Sequence, residues 1–190
     1  GNYAHDENST AGDRKEISEG HRRDVPIIMP KIIRIELPTP FRVGTVNVWL
    51  IKGETCLLID AGLKTEAAKE ALLSGLAKSG VSLTDIEATL VTHGHVDHFG
   101  LAHWLREEAD CRIYGHEDEQ DYIESFPGMH KKVLEQFKHV SDLNGYPQEE
   151  YNETVRDYAG TQELAEAAKI DIALKDKEEI LFGDISLQAL

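Results

Sequence analysis

Three of the nine histidines and one carboxylate fall within the short stretch Thr92-His93-Gly94-His95-Val96-Asp97-His98-Phe99-Gly100. Neutral imidazole and carboxylate are ligands that divalent zinc, iron or manganese accept, and ordinary core packing asks for no such cluster. On a helix, His93 and His95 would point to nearly opposite sides. On an extended segment, positions i and i+2 share a face about 7 Å apart, so the pair belongs to a strand end or loop. His93 and His95 can then hold one ion, with Asp97 and His98 facing a second position. Two ions about 3.5–4 Å apart share and activate a water.

The flanking residues predict what carries this cluster. Ala88-Thr89-Leu90-Val91-Thr92 is short, apolar and β-branched, a buried strand delivering His93 to a sheet edge. Leu101, Trp104 and Leu105 then fall at helical spacing, which puts Asp97 and His98 at the bend between strand and helix. Upstream, Val46–Ile51 and Thr55–Asp60 flank Lys52-Gly53-Glu54, a hairpin signal ending at Asp60-Ala61-Gly62. An Asp closing an apolar strand is costly to bury unless bonded, which suits a carboxylate supporting metal ligands. A turn-forming Asp before Gly is the plainer alternative.

The remaining chain supplies packing. Ile32–Leu37 reads as a half-buried strand stopped by Pro38 and Pro40. Thr65 caps a helix with Ala68, Ala71, Leu72 and Leu76 on one face, closed by Gly80. Cys111–Tyr114 is a further strand ending at Gly115-His116, where His116 is either a pocket residue or a plain surface histidine. Residues 117–173 are mostly polar with helical spacing, broken at Phe126-Pro127-Gly128 and Asn144-Gly145-Tyr146-Pro147. Ile180–Leu187 reads as a last hairpin.

One domain over residues 25–190 is expected from length and from 41% hydrophobic content. Residues 1–24, with His5 and His21, are expected to be a disordered arm, since they hold too few apolar groups to offset ordering entropy. A net charge of −15 disfavours binding to nucleic acid or anionic membranes. No apolar run approaches the roughly 20 residues of a membrane span, and a cytoplasmic location is expected. Cys56 and Cys111 are too few for a disulfide framework and read as core thiols.

The His93-x-His95-x-Asp97-His98 segment, preceded by Leu57-Leu58-Ile59-Asp60-Ala61-Gly62, resembles two ordered motifs of the metallo-β-lactamase superfamily. The resemblance runs from about Ile32 to Leu190. It implies an α/β fold, the first half of an αβ/βα sandwich, with 117–173 as a helical insertion covering the metal cleft. By the same resemblance His93 and His95 match ligands of a first metal, and Asp97 and His98 ligands of a second. Asp60 matches a buried supporting carboxylate. The implied cofactors are two divalent ions, zinc first, with iron or manganese as substitutes.

The implied reaction is hydrolysis of an ester, thioester or lactone by a metal-bound hydroxide that Asp97 helps to orient. A small molecule is the implied substrate, and homo-oligomerisation is compatible with it. His116, Tyr122, Phe126 and Met129 become candidate pocket residues, with Phe137, Tyr151 and Tyr158 as further candidate contacts. Gly94 stands where glyoxalase-type thioesterases commonly carry His, which weakens that assignment. The family's further ligand His, bridging Asp and last His find no counterpart, and His103, His116, His130 and His139 lie outside its motifs. The chain is therefore expected to be a piece of a longer enzyme, or else a catalytically incomplete metal-binding fragment with one sheet face uncovered. An iron-dependent oxidoreductase of the same superfamily is the other alternative, although its diiron members carry Glu where this chain has His95.

Overall fold

A computed structural model describes residues 29–42 and 44–190. The arm expected over residues 1–24 lies outside the described residues. The first strands, β1 (Lys31–Leu37), β2 (Val46–Lys52) and β3 (Cys56–Ile59), are antiparallel neighbours, β2 and β3 being joined through the Gly53 turn. Helix α1 (Glu66–Lys78) follows, its first turn held by the Thr65 hydroxyl, which accepts from the Ala68 N–H at 3.2 Å. Ala68, Leu72 and Leu76 form its buried stripe, and each leucine buried this way contributes roughly 1.5–3 kcal/mol. The turn after it closes at Gly80, whose φ of +65° suits glycine.

Strand β4 (Ile86–Leu90) leads through the histidine segment into the short helix α2 (Val96–Phe99) and then α3 (Ala102–Ala109). Strand β5 (Arg112–His116) runs directly into α4 (Glu117–Glu124), followed by α5 (Gly128–Asn144) and α6 (Gln148–Gly160). Strand β6 (Ile172–Leu174) and the hairpin β7 (Glu179–Phe182) and β8 (Ile185–Gln188) complete the chain.

Among the described residues, six strands form one sheet in the order β1-β2-β3-β4-β5-β6, and β3 to β6 are parallel. Parallel strands end on the same side, so Asp60, the His93 segment and His116 all emerge at one sheet edge. In open α/β sheets that edge is where ligands bind.

Alternation along the strands sends neighbouring residues to opposite faces. Leu50, Leu58 and Ile113 join Leu72, Leu76, Phe99 and Leu105 on the helical side. Ile51, Leu57, Ala88, Leu90 and Tyr114 point the other way, onto Phe182 and Ile185 of the terminal hairpin. The Tyr114 and Phe182 rings meet edge to face at 5.2 Å. Asp184 in the hairpin turn accepts the Glu54 N–H at 3.0 Å, locking the two turns together. The face expected to lack a covering layer therefore carries one, at least where β7 and β8 lie.

The 117–173 segment differs from a wholly helical insertion. Its helical character ends with the 3-10 turn Thr161–Leu164, and Ala165, Ala168 and Ile170 enter the core. Ile172–Leu174 then pairs in parallel with β5. Asp171 pins this return, its carboxylate accepting from Arg106 and from the Ile113 N–H, while its own N–H donates to the Ile113 carbonyl. A three-residue strand following a polar stretch carries too little alternation to be read as one. No helix among the described residues is long and apolar enough to cross a membrane.

Candidate metal centre

The site is built on Asp60. It is only 4% exposed, and its φ of +66° places it in the left-handed region, which Asp tolerates better than most residues. Its N–H donates to the Leu90 carbonyl at 2.8 Å, joining the ends of β3 and β4. The carboxylate receives the Thr92 N–H and the Thr92 hydroxyl, each at 2.8 Å on Oδ1, and His98 Nδ1 at 2.8 Å on Oδ2. These bonds offset the cost of burying a carboxylate.

They also decide which ring nitrogens stay unprotonated. With Nδ1–H of His98 given to Asp60, its Nε2 keeps a lone pair. The Thr92 hydroxyl spends its proton on Asp60, so it accepts from His93 Nδ1–H at 3.0 Å and leaves His93 Nε2 unprotonated, an acceptor that meets His95 Nδ1. Hydrogen bonds to the far nitrogen fix tautomer and ring orientation in this way at metal-ligating histidines.

His93 Nε2 lies 3.0 Å from His95 Nδ1, and the His93 and His98 ring centroids are 4.0 Å apart. Asp97 Oδ2 lies 3.7 Å from His98 Nε2. His95 is the residue before α2, and Asp97 and His98 follow within its single turn, so the bend brings the four side chains together in pairs, His93 with His95, His93 with His98 and His98 with Asp97. The turn from α2 to α3 is pressed close. A Cβ on Gly100 would stand 2.6 Å from the Leu164 and Val96 carbonyl oxygens and 2.7 Å from that of Gly62.

Electrostatics separate the two half-buried rings. Burial, then the neighbouring His98 and His95 rings, hold His93 below the usual histidine pKa. Burial pushes His98 down as well, but the bond to Asp60 and the charges of Asp60 and Asp97 outweigh it, so His98 is raised.

No three His, Cys, Asp or Glu side chains among the described residues converge into a ligand group. The donors nevertheless fit pairwise. Two nitrogens on a tetrahedral zinc with Zn–N of about 2.0–2.1 Å stand roughly 3.3–3.4 Å apart. The His93 to His95 separation needs to open by only a few tenths of an ångström. Their types, imidazole with carboxylate, suit zinc, iron or manganese.

The other expected site residues divide. His116 Nδ1 accepts the Asp118 N–H at 3.2 Å and so caps α4. With Thr92, it also walls a mostly apolar cavity of about 240 Å³ between the main sheet and the terminal hairpin. Tyr122 lies against the 93–98 loop, where a Cβ on Gly94 would be 2.8 Å from its Cδ1. Phe126 is buried, its ring edge-on to Phe99 at 5.4 Å, and so belongs to the core and not to an open cleft. Met129 is half-buried in the first turn of α5.

Phe137 stacks on Tyr151 at 5.7 Å, which joins α5 to α6. The Tyr158 ring stacks on His130 at 4.2 Å, and its hydroxyl meets that of Tyr122 at 3.2 Å. These contacts tie α4, α5 and α6 to one another. His130, only 1% exposed, contacts the Tyr158 carbonyl through Nε2 at 3.0 Å and the Tyr122 hydroxyl through Nδ1 at 3.4 Å.

Thr92 and Glu119 complete the arrangement without having been singled out in the sequence. Glu119 Oε2 accepts the Gly94 N–H at 2.8 Å. Thr92, directly before the first histidine, could have been suspected; Glu119, one of many acidic residues on α4, gave no signal.

A probable metallo-hydrolase of Bacillus subtilis (strain 168), YqjP, is 45% identical over 92 residues, which are 48% of this chain and 28% of YqjP. A second from the same organism, YybB, is 33% identical over 89 residues, 46% of this chain and 37% of YybB. The crystal structure of the metallo-beta-lactamase family protein TTHA1429 from Thermus thermophilus superposes with a TM-score of 0.62 at 26% identity. The match covers 83% of this chain and 50% of that one. The matched regions thus span well under half of the two curated relatives and half of the solved one. A family model described as the metallo-beta-lactamase superfamily matches residues 41–189, and the chain belongs to that superfamily.

Proposed function

We propose that this chain carries half of the metal site of a metal-dependent hydrolase acting on an ester, thioester or lactone bond of a small molecule. The observation that carries the reading is the Asp60, Thr92 network, which engages Nδ1 of both His93 and His98 and turns their Nε2 atoms toward His95 and Asp97, at 3.0 and 3.7 Å. His93 and His95 would hold one divalent ion, and Asp97 and His98 a second, zinc first, with iron or manganese as substitutes. Such ions, when bound, lower the pKa of water from about 15.7 to near 7 and polarise a carbonyl oxygen.

The chain's own residues supply the rest. Asp60 keeps His98 in one tautomer and one orientation. Thr92 does the same for His93, and the α2 turn holds Asp97 beside them. Asp97 presents its carboxylate to the attacking water as a hydrogen-bond acceptor. Helix α4 lies against the loop, with Tyr122 and Glu119 at Gly94, and α5 and α6 extend this cover.

The test is turnover of ester, thioester and lactone substrates by the complete protein before and after chelation. Hydrolysis should fall with chelation, return with zinc, and fall at least about 100-fold in His95→Ala, while the unfolding midpoint of the chelated protein is unchanged. Undiminished hydrolysis in His95→Ala would remove the reading. Oxygen consumption with iron, in place of hydrolysis, would replace it with an oxidoreductase.

A further inference from the structure

Taking the 93–98 loop as a metal site, we propose that Glu119 on α4 is a positioning residue for it, holding the Gly94 N–H so that His93 and His95 keep their facing geometry.

Gly94 is the residue between the two histidines, so the orientation of its peptide sets the direction of both side chains. Its N–H is taken by Glu119 Oε2 at 2.8 Å, across 25 residues of sequence. The glycine is buried although it sits in a loop, and its cover is local. A Cβ at position 94 would meet Glu119 Oε2 at 2.8 Å and Tyr122 Cδ1 at 2.8 Å. Glu119 and Tyr122 are three residues apart, hence on one face of α4. That face is the one laid on the loop.

A carboxylate in the first turn of a helix ordinarily serves the helix dipole. Glu117 and Asp118 occupy that turn from exposed positions. Glu119 is half-buried and directed across to another segment, a different use of the same charge. Ionised acceptors make shorter and stronger bonds to backbone N–H groups than neutral ones, so the contact holds the loop firmly.

Its far end is anchored too. α4 begins at His116, the last residue of β5, and Tyr122 is tied through its hydroxyl to His130 on α5 and Tyr158 on α6. The cover helices and the metal loop are thereby one connected unit, joined at Gly94. A Cβ at position 94 would press on both Glu119 Oε2 and Tyr122 Cδ1, so a larger residue there would displace the contact that holds the loop.

The test uses the full chain, chelated and then titrated with Co²⁺ while its visible absorption is followed. Hydrogen exchange of the Gly94 amide is measured on the chelated protein. Glu119→Leu should expose the Gly94 amide to exchange, weaken Co²⁺ binding by about 10–100-fold and alter the cobalt spectrum. Glu119→Gln, which keeps an acceptor oxygen, should restore most of both.

Unchanged Gly94 exchange or unchanged Co²⁺ affinity in Glu119→Leu overturns the proposal, as does Glu119→Gln behaving no better than Glu119→Leu. If Glu119→Leu does not fold, Glu119→Gln against Glu119→Ala decides on the same two readouts. Co²⁺ binding that is untouched in His95→Ala overturns the metal-site reading itself. Gly94 exchange in the chelated protein then still decides whether Glu119 holds the loop.

Discussion

Asp60 ties Thr92 and His98 together through one buried carboxylate, and both depend on it for more than packing. Asp60→Asn keeps the volume but replaces an acceptor-only group with one that donates from one side. His98 or Thr92 must then lose its partner. Zinc affinity is expected to fall by about 10–100-fold, measured by titration of the chelated protein, with a smaller loss in unfolding free energy. Gly94→Ala places a methyl 2.8 Å from both Glu119 Oε2 and Tyr122 Cδ1, so these side chains must give way. An overpacking cost of about 1–3 kcal/mol is expected in urea unfolding, together with weaker zinc binding. Asp171 gives a pH signature away from the site. Burial raises its carboxyl, but bonds from Arg106 and the Ile113 N–H outweigh that and hold it below the usual carboxylate range. A depressed folded pKa means its contribution is complete above the unfolded value of about 3.9 and is lost as pH falls through the folded value. Asp171→Asn should therefore cost about 1–2 kcal/mol near neutrality, and the gap to the parent chain should close below about pH 4. Thermal midpoints at several pH values check this.

The elements divide by how much of their reason for existing lies in their own residues. Strands β1 to β5 and helix α1 were legible because alternation, the Gly53 turn and the Thr65 cap are local signals. The four ligand candidates were legible for the same reason, lying within one bend. Thr92 bonding to Asp60 and Glu119 bonding to Gly94 were not, since those partners are 32 and 25 residues apart and only the folded sheet edge joins them. β6 was hidden because three residues with a partner on β5 leave no pattern of their own. The cover helices α5 and α6 were visible as helices, but the purpose of their aromatics was not. Phe137 against Tyr151, and Tyr158 against His130, are contacts between helices. His130→Ala removes a stacked ring and the bonds it makes to the Tyr158 carbonyl and the Tyr122 hydroxyl. It should cost about 2–4 kcal/mol, with hydrogen exchange rising first in α5 and α6.

At the scale of the whole molecule, a mixed sheet carries helices on one face and a β-hairpin on the other, and the ends of its parallel strands gather the chemistry on one edge. The net charge of −15 is spread over exposed helices, above all α4 and α6, so phosphate backbones find little attraction there. The matched parts of YqjP and YybB are 28% and 37% of those proteins. The most direct test of the 93–98 loop as a metal site is calorimetric titration of zinc into the chelated complete protein and into its His93→Ala and His98→Ala variants. Two zinc ions bound by the parent, with each variant losing one of them, is the expected result. Isotherms that are the same for all three proteins would contradict it and leave the loop a structural feature of the sheet edge.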